Sequence, residues 1–221
     1  MTRPANRGPI YRIFGENIYK THIRKEDKQA IIDATSDWRA DGQMDLEEFE
    51  YVFPQWLEQN EEILDHTEAQ TGQQGTDWWY EEPVWGKNMT EGIYLKSDGT
   101  CIGFERCKIL EWSMSNEITA LVPSARENGY YIENSSLGLK TLFETFGCRS
   151  IITQTPTSVN TSKQPYKDIT PTKIETRLDR ITPVEYRETI LTREWYTQWI
   201  NEPEQSTLKN IPYTYHWKYT E

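Results

Sequence analysis

One stretch of this chain has the residue types to hold a phosphate. It runs from Glu117 through Leu121, Val122 and Pro123 to Arg126, Glu127, Asn128, Gly129, Tyr130 and Tyr131, between an apolar run and a long amphipathic one. A strand that turns into a helix there exposes unpaired N–H groups at the positive end of the helix dipole. Gly129 lets the backbone approach an anion closely, and Arg126 offers a fork of donors. The plainer alternative is a tight strand-to-helix turn with a surface arginine. A second stretch, Asp37 to Glu48, has the spacing of a calcium loop, with acids at positions 1, 5, 9 and 12 and Gly42 at position 6. Arg39 stands at position 3, where Asp or Asn belongs, and repels a cation, and no second loop pairs with it. The competing reading makes Gly42 a helix break and Asp45 an N-cap. His22, His66 and His216 are too far apart to suggest a metal set, so no metal is expected. Cys101, Cys107 and Cys148 form no paired spacing and read as reduced core thiols, the first two on one strand face.

The elements that must position the loop follow from periodicity. Ile10–Thr21 reads as a first strand and Ile23–Ser36 as a helix. Asp45–Ala69 is a second helical stretch that Pro54 should kink or split. The loop Thr71–Asn88 carries Trp78, Trp79, Tyr80 and Trp85, which points to packing rather than a linker. Gly92–Lys96 and Thr100–Leu110 flank Ser97-Asp98-Gly99, a hairpin signal. Glu117–Val122 is a strand, and Gly129–Phe146 a helix capped by Gly147. Arg149–Gln154 is the next strand, and Thr155–Asp168 is a loop with a short helix. Lys173–Ile181 and Tyr186–Leu191 are strands joined by a turn at Thr182-Pro183, and Arg193–Asn201 is a last helix. The order predicts a mixed sheet with helices on both faces, α/β or α+β.

Composition narrows the function. The 221 residues carry a formal net charge of -11 and no long basic stripe, which argues against nucleic acid. No apolar run approaches the roughly 20 residues of a membrane span. Met1–Pro9 is polar and reads as a flexible arm rather than a signal peptide. A reducing, cytoplasmic setting fits the cysteines.

Leu121-x-Pro123-x-x-Arg126-x-x-Gly129-x-Tyr131 resembles the signature of the GNAT superfamily of acyl-CoA N-acyltransferases, with Tyr131 where the family has a small residue. His22–Asp27 followed by Ile31 looks like the start of that family's first helix, and the element order matches over residues 10–192. The resemblance implies a mixed, mostly antiparallel sheet. It also implies acetyl-CoA as donor, an amine as acceptor, and a pyrophosphate seat at residues 126–131. Leu121 and Val122 would then polarise the thioester carbonyl with their N–H groups. Asn160 and Ser162 would lie near the thiol end of the cofactor, Tyr166 would protonate the leaving thiolate, and Glu117, with Glu105 second, would take the proton from the amine.

The C-terminal part, 193–221, combines a helix with Tyr213, Tyr215, Trp217 and Tyr219, whose alternation predicts one aromatic face on an extended segment. It either packs on its own sheet or docks on another chain, as in a homo-oligomer or larger assembly. The second reading goes with a non-catalytic, virion-associated role, because GNAT-like domains also occur in phage structural proteins.

Overall fold

The computed structural model describes residues 11–37, 45–71, 85–111, 113–157, 166, 168–179, 182–202 and 210–217. The arm at 1–9, most of the calcium-loop lookalike, Trp78, Trp79, Tyr80, Asn160 and Ser162 lie outside them.

Nine strands form one sheet in the order β7-β8-β6-β5-β4-β3-β2-β1-β9. They are β1 Tyr11–Phe14, β2 Ile18–His22, β3 Asn88–Leu95, β4 Cys101–Leu110, β5 Ser113–Leu121, β6 Ser150–Pro156, β7 Lys173–Asp179, β8 Thr182–Thr192 and β9 Thr214–Trp217. All neighbours are antiparallel except β5 and β6, which run parallel. The helices are α1 Lys28–Ala34, α2 Leu46–Thr71, α3 Tyr130–Lys140 and α4 Arg193–Asn201. A π-helical turn, Thr141–Thr145, extends α3 to Gly147, whose φ of 66° ends it.

Two apolar layers sandwich the sheet. Ile31, Phe49, Phe53 and Trp56 of α1 and α2 pack on Phe104 and Ala120. Leu137, Phe143, Tyr196 and Trp199, from the α3 and α4 side, pack with Ile109, Met114, Ile151 and Leu191. The fold is therefore mixed α/β, with helices on both faces.

The expected first strand is two. The chain reverses at Gly15, where an added Cβ would lie 2.3 Å from Glu133 Oε1. The Glu133 carboxylate accepts the N–H groups of Asn17 (2.8 Å) and Ile18 (3.1 Å) and the Asn17 amide (3.1 Å). A carboxylate from the first turn of α3 thus makes the hairpin, and nothing local announces it. Glu133→Ala strands these donors and is expected to lower stability by about 2–3 kcal/mol in urea unfolding. A change below half of that would show that the turn holds itself.

Pro54 does not split α2, which runs through it for 26 residues. Phe49, Phe53 and Trp56 are each at most 3% exposed, and this anchoring outweighs one lost helical hydrogen bond. Asp45 caps α2, its Oδ1 accepting from Glu48 N at 2.7 Å. Thr182 and Pro183 are not a separate turn but pair with Asp179 and Leu178, where β8 has run past the end of β6 and needs no second donor row.

Cys101 and Cys107 do not share a face. Gly103 sits opposite Ile93 but Cys101 opposite Tyr94, so Ile102 is an extra residue that flips the alternation. Cys107 joins the α3-side core. The Cys101 thiol is pushed up to about 12 by burial and by nearby Asp27, and stays protonated.

The C-terminal segment packs on its own sheet. Residues 214–217 pair with 11–14, and Tyr213 shares a hydrogen bond with Thr145. The backbone groups of 214–217 that face β1 are thus engaged within the chain, and β9 forms an edge of the sheet.

Candidate active site

The parallel pairing of β5 with β6 runs from Ser113 opposite Ser150 to Asn116 opposite Thr153, then stops. Beyond it, β5 continues to Leu121 bound only to β4, and β6 continues to Pro156 bound only to β8. The sheet therefore splays into a fork with Asn116 and Thr153 at its crotch. On the β4 side Asn116 faces Cys107 and Ile118 faces Arg106, so Glu117 is a bulge residue just inside the fork.

At the far end of β5, Val122 donates its N–H to Ile102 O at 2.8 Å. That engages one of the two groups expected to face a thioester. Leu121 occupies the alternate ladder position, so its N–H lies on the open side.

The turn into α3 gives the helix an open mouth. Gly129 is the N-cap at φ 81°, and an added Cβ would meet nothing within 4 Å. Glu127 also takes a positive φ of 66°, rare outside glycine, while the Asn128 amide binds Arg126 O (3.1 Å) and Ser124 O (3.3 Å). Among the described residues the N–H groups of Gly129 and Tyr130 find no acceptor. Tyr131 is 37% exposed and does not close over Gly129.

Arg126 is not aimed into this mouth. Its Nε donates to Leu121 O at 3.0 Å, and its terminal nitrogens pair with the Asp37 carboxylate and reach Ala34 O at 3.5 Å. The guanidinium ties the β5–α3 turn to the end of α1. Asp37, first residue of the calcium-loop lookalike, is thus engaged with a cationic side chain. Among the described residues no group of His, Cys, Asp and Glu is placed to hold a metal. Nor is any described helix long and apolar enough to cross a membrane.

Glu105 lies beneath the fork as a buried anchor rather than an open base. Lys20, 2% exposed, bridges it to Glu91, whose carboxylate lies 2.7 Å from Lys20 Nζ. Glu105 Oε1 accepts from the Asn116 amide and Oε2 from Asn134 at 3.2 Å, while Tyr11 donates to Glu91 at 2.7 Å. Burial works against the Lys20 ammonium, but Glu105 and Glu91 outweigh it and hold its pKa above the ordinary lysine value. The cavity beside them is about 10 Å3, room for one water and no substrate.

Tyr166 is packed against the α3-side core. Burial, then the neighbouring Tyr131 and Glu105, push its hydroxyl well above the ordinary tyrosine value, against an opposing hydrogen bond from Thr153 and the charge of Arg187. Of the expected residues, Glu105 and Tyr166 come near each other, Glu117, Leu121 and Gly129 border the fork or its mouth, and Val122 and Arg126 turn away. Lys20, Glu91, Asn116 and Asn134 went unread. Their one sequence signal is polarity inside otherwise apolar runs.

The architecture has the fold of solved GNAT-family acetyltransferases. The chain is similar to a GCN5-related N-acetyltransferase from Brucella melitensis at 8% identity, over 90% of this chain and 83% of that one, with a TM-score of 0.60. A GNAT-family acetyltransferase from Bacillus anthracis matches at 11% identity, over 83% and 99%, with a TM-score of 0.56. Spermidine N-acetyltransferase from Vibrio cholerae, solved with CoA and spermine, matches at 7% identity, over 82% and 98%, with a TM-score of 0.57. At such identities the likeness is one of fold. No family model matches the sequence, and no curated protein does.

Proposed function

We propose that this chain is an acyl-CoA-dependent N-acetyltransferase that moves an acetyl group to an amine. The observation that supports it is the fork at Asn116 and Thr153, with a bulge just inside and an open helix mouth at Gly129. The mouth suits a diphosphate, because among the described residues the Gly129 and Tyr130 N–H groups are unclaimed and nothing lies within 4 Å of where a Gly129 Cβ would stand. Acetyl-CoA would supply an activated thioester. Gly129, Tyr130 and Tyr131 would hold the pyrophosphate with backbone N–H groups, and the Leu121 N–H would polarise the carbonyl. Glu117 would accept the amine proton and Tyr166 would protonate the leaving sulfur. Asn160 and Ser162 keep the roles that the family resemblance implies.

The acceptor class follows from charge. A protein with net charge -11 attracts polycations, and one neighbour was solved with spermine, so polyamines head the panel, followed by lysyl peptides. The test is acetyl-CoA stabilisation together with thiol release in the presence of each amine. Acetyl-CoA at about 100 times its Kd should stabilise the protein by about 2.7 kcal/mol. Absence of both signals would overturn the proposal in favour of a non-catalytic assembly role.

Arg126→Ala should weaken CoA binding about tenfold. Asp37→Ala decides how. Equal weakening means Arg126 acts by holding the turn, whereas unchanged or tighter binding means the released guanidinium reaches phosphate.

A further inference from the structure

The crotch of the fork holds a side chain whose orientation is dictated from below. Glu105 is a carboxylate, so it can only accept, and the face of the Asn116 amide turned to it must be the NH2 group. That nitrogen also lies 3.3 Å from Thr119 Oγ1, which uses its second hydrogen. Nδ2 is thus committed toward Glu105 of β4 and Thr119, and Oδ1, on the same planar carbon, is turned the other way. Among the described residues Oδ1 has no donor. Asn116 is only half-buried and is the last β5 residue paired with β6 before the strands part. An unclaimed acceptor therefore stands where the fork opens.

The charge beneath it has a definite sign. Lys20 contributes one positive charge and Glu91 and Glu105 two negative ones, leaving a formal -1 under the crotch. Tyr11, Asn116 and Asn134 add only neutral donors. In a site shielded from water such a charge favours a nitrogen that is, or is becoming, positive.

From this we infer that Asn116, locked by Glu105, positions the acceptor amine: Oδ1 accepts an N–H of the attacking nitrogen, and the excess negative charge of the Lys20–Glu91–Glu105 cluster steadies that nitrogen as it forms its bond to the acetyl carbon. The inference rests on the acetyltransferase reading and deepens it. Asn116 gives up and takes no proton, so the chemistry remains a proton from the amine to the base and a proton from the acid to the departing thiolate.

The arrangement makes an unusual demand on Glu105→Gln, a change that conserves shape. Oε2 accepts from both Lys20 and Asn134, so the oxygen of the new amide stays there and its NH2 faces Asn116. Asn116 must then turn its own oxygen inward and present NH2 to the fork. The acceptor becomes a donor without any group being deleted.

The experiment compares wild type, Asn116→Leu, Glu105→Gln and the double variant, using the amine that turns over fastest among spermidine, spermine and a lysyl peptide. Each single change should raise the amine KM about tenfold, the loss of one hydrogen bond, while stabilisation by acetyl-CoA stays at the wild-type level. The double variant should be no worse than Glu105→Gln alone, since that change already removes both the outward acceptor and the excess negative charge. An unchanged amine KM in Asn116→Leu overturns the inference, and so does loss of acetyl-CoA stabilisation in parallel with transfer, which would mark a merely structural role. If wild type itself shows neither acetyl-CoA stabilisation nor transfer, the acetyltransferase reading falls first and takes this inference with it.

Discussion

Replacing Lys20 with methionine should lower the stability of the fold by about 3–5 kcal/mol, the range for breaking a buried ion pair from one side. Methionine fills the space of the lysine stem, so the loss is electrostatic rather than a cavity. Glu91 and Glu105 would remain buried with no cation between them, and the Tyr11, Asn116 and Asn134 donors cannot supply one. For a chain of this size the loss corresponds to a fall in Tm of about 6–20 °C. Urea unfolding should show a lower midpoint at an unchanged slope. Adding Glu91→Gln and Glu105→Gln to Lys20→Met should recover most of the loss, because neutral amides do not need the ammonium. The pH dependence has a fixed sign. Lys20 has a raised pKa in the fold, so its contribution is complete below the ordinary lysine value and fades only as pH climbs through the higher folded one. Wild type should thus keep this part of its stability across the neutral range and lose it only in strong alkali. An unaltered urea midpoint in Lys20→Met would mean that water reaches the cluster.

The contrast between what was legible and what was not has one physical source, the range of the interaction involved. Asp98-Gly99 makes its own turn, with Gly99 at φ 74° and Thr100 N held by Asp98 Oδ1 at 2.9 Å, so two adjacent residues carried the message. The same holds for Gly147 at the end of α3 and for α4, where Thr192 accepts from Trp195 N and the helix spans the expected Arg193–Asn201. The helix start at Gly129 was readable because a glycine before an amphipathic run is a local pattern, and its φ of 81° is the left-handed turn that glycine permits. Long-range contacts left no such mark. The Gly15 reversal depends on Glu133, and the partner of Arg126 is Asp37, 89 positions away. Bulges are harder still. Ile102 and Glu117 are ordinary strand residues, and only register against a neighbour shows either as the extra one. One slip at Ile102 moved Cys101 to the other face, and one at Glu117 lies at the opening of the fork. The register breaks beside the fork therefore sit at the points where periodicity fails, which a period-based reading smooths over.

Tyr166→Phe should reduce kcat about 100-fold, the lower end of what a positioned acid contributes, with acetyl-CoA affinity unchanged because the ring is kept. The environment of the hydroxyl sets how tightly it holds its proton. Burial disfavours tyrosinate first, and Tyr131 and Glu105 disfavour it further, so the group keeps its proton well above the ordinary tyrosine value. A proton donor must hold its proton at the working pH and give it up only to a stronger base. The departing thiolate is the weaker base of the two, so a hydroxyl held this high helps by a hydrogen bond that tightens on sulfur as the C–S bond breaks, and the effect should appear in kcat rather than in binding. The wild-type kcat profile should then rise as the base loses its proton and show no fall below about pH 10, the ordinary tyrosine value. The variant should keep the same rising limb at a lower plateau. Thioesters of more acidic thiols need less help in leaving, so with them the gap between variant and wild type should narrow. A gap of equal size for every leaving thiol would deny Tyr166 the acid role, and an undiminished kcat in Tyr166→Phe would reduce it to a packing residue beside Thr153.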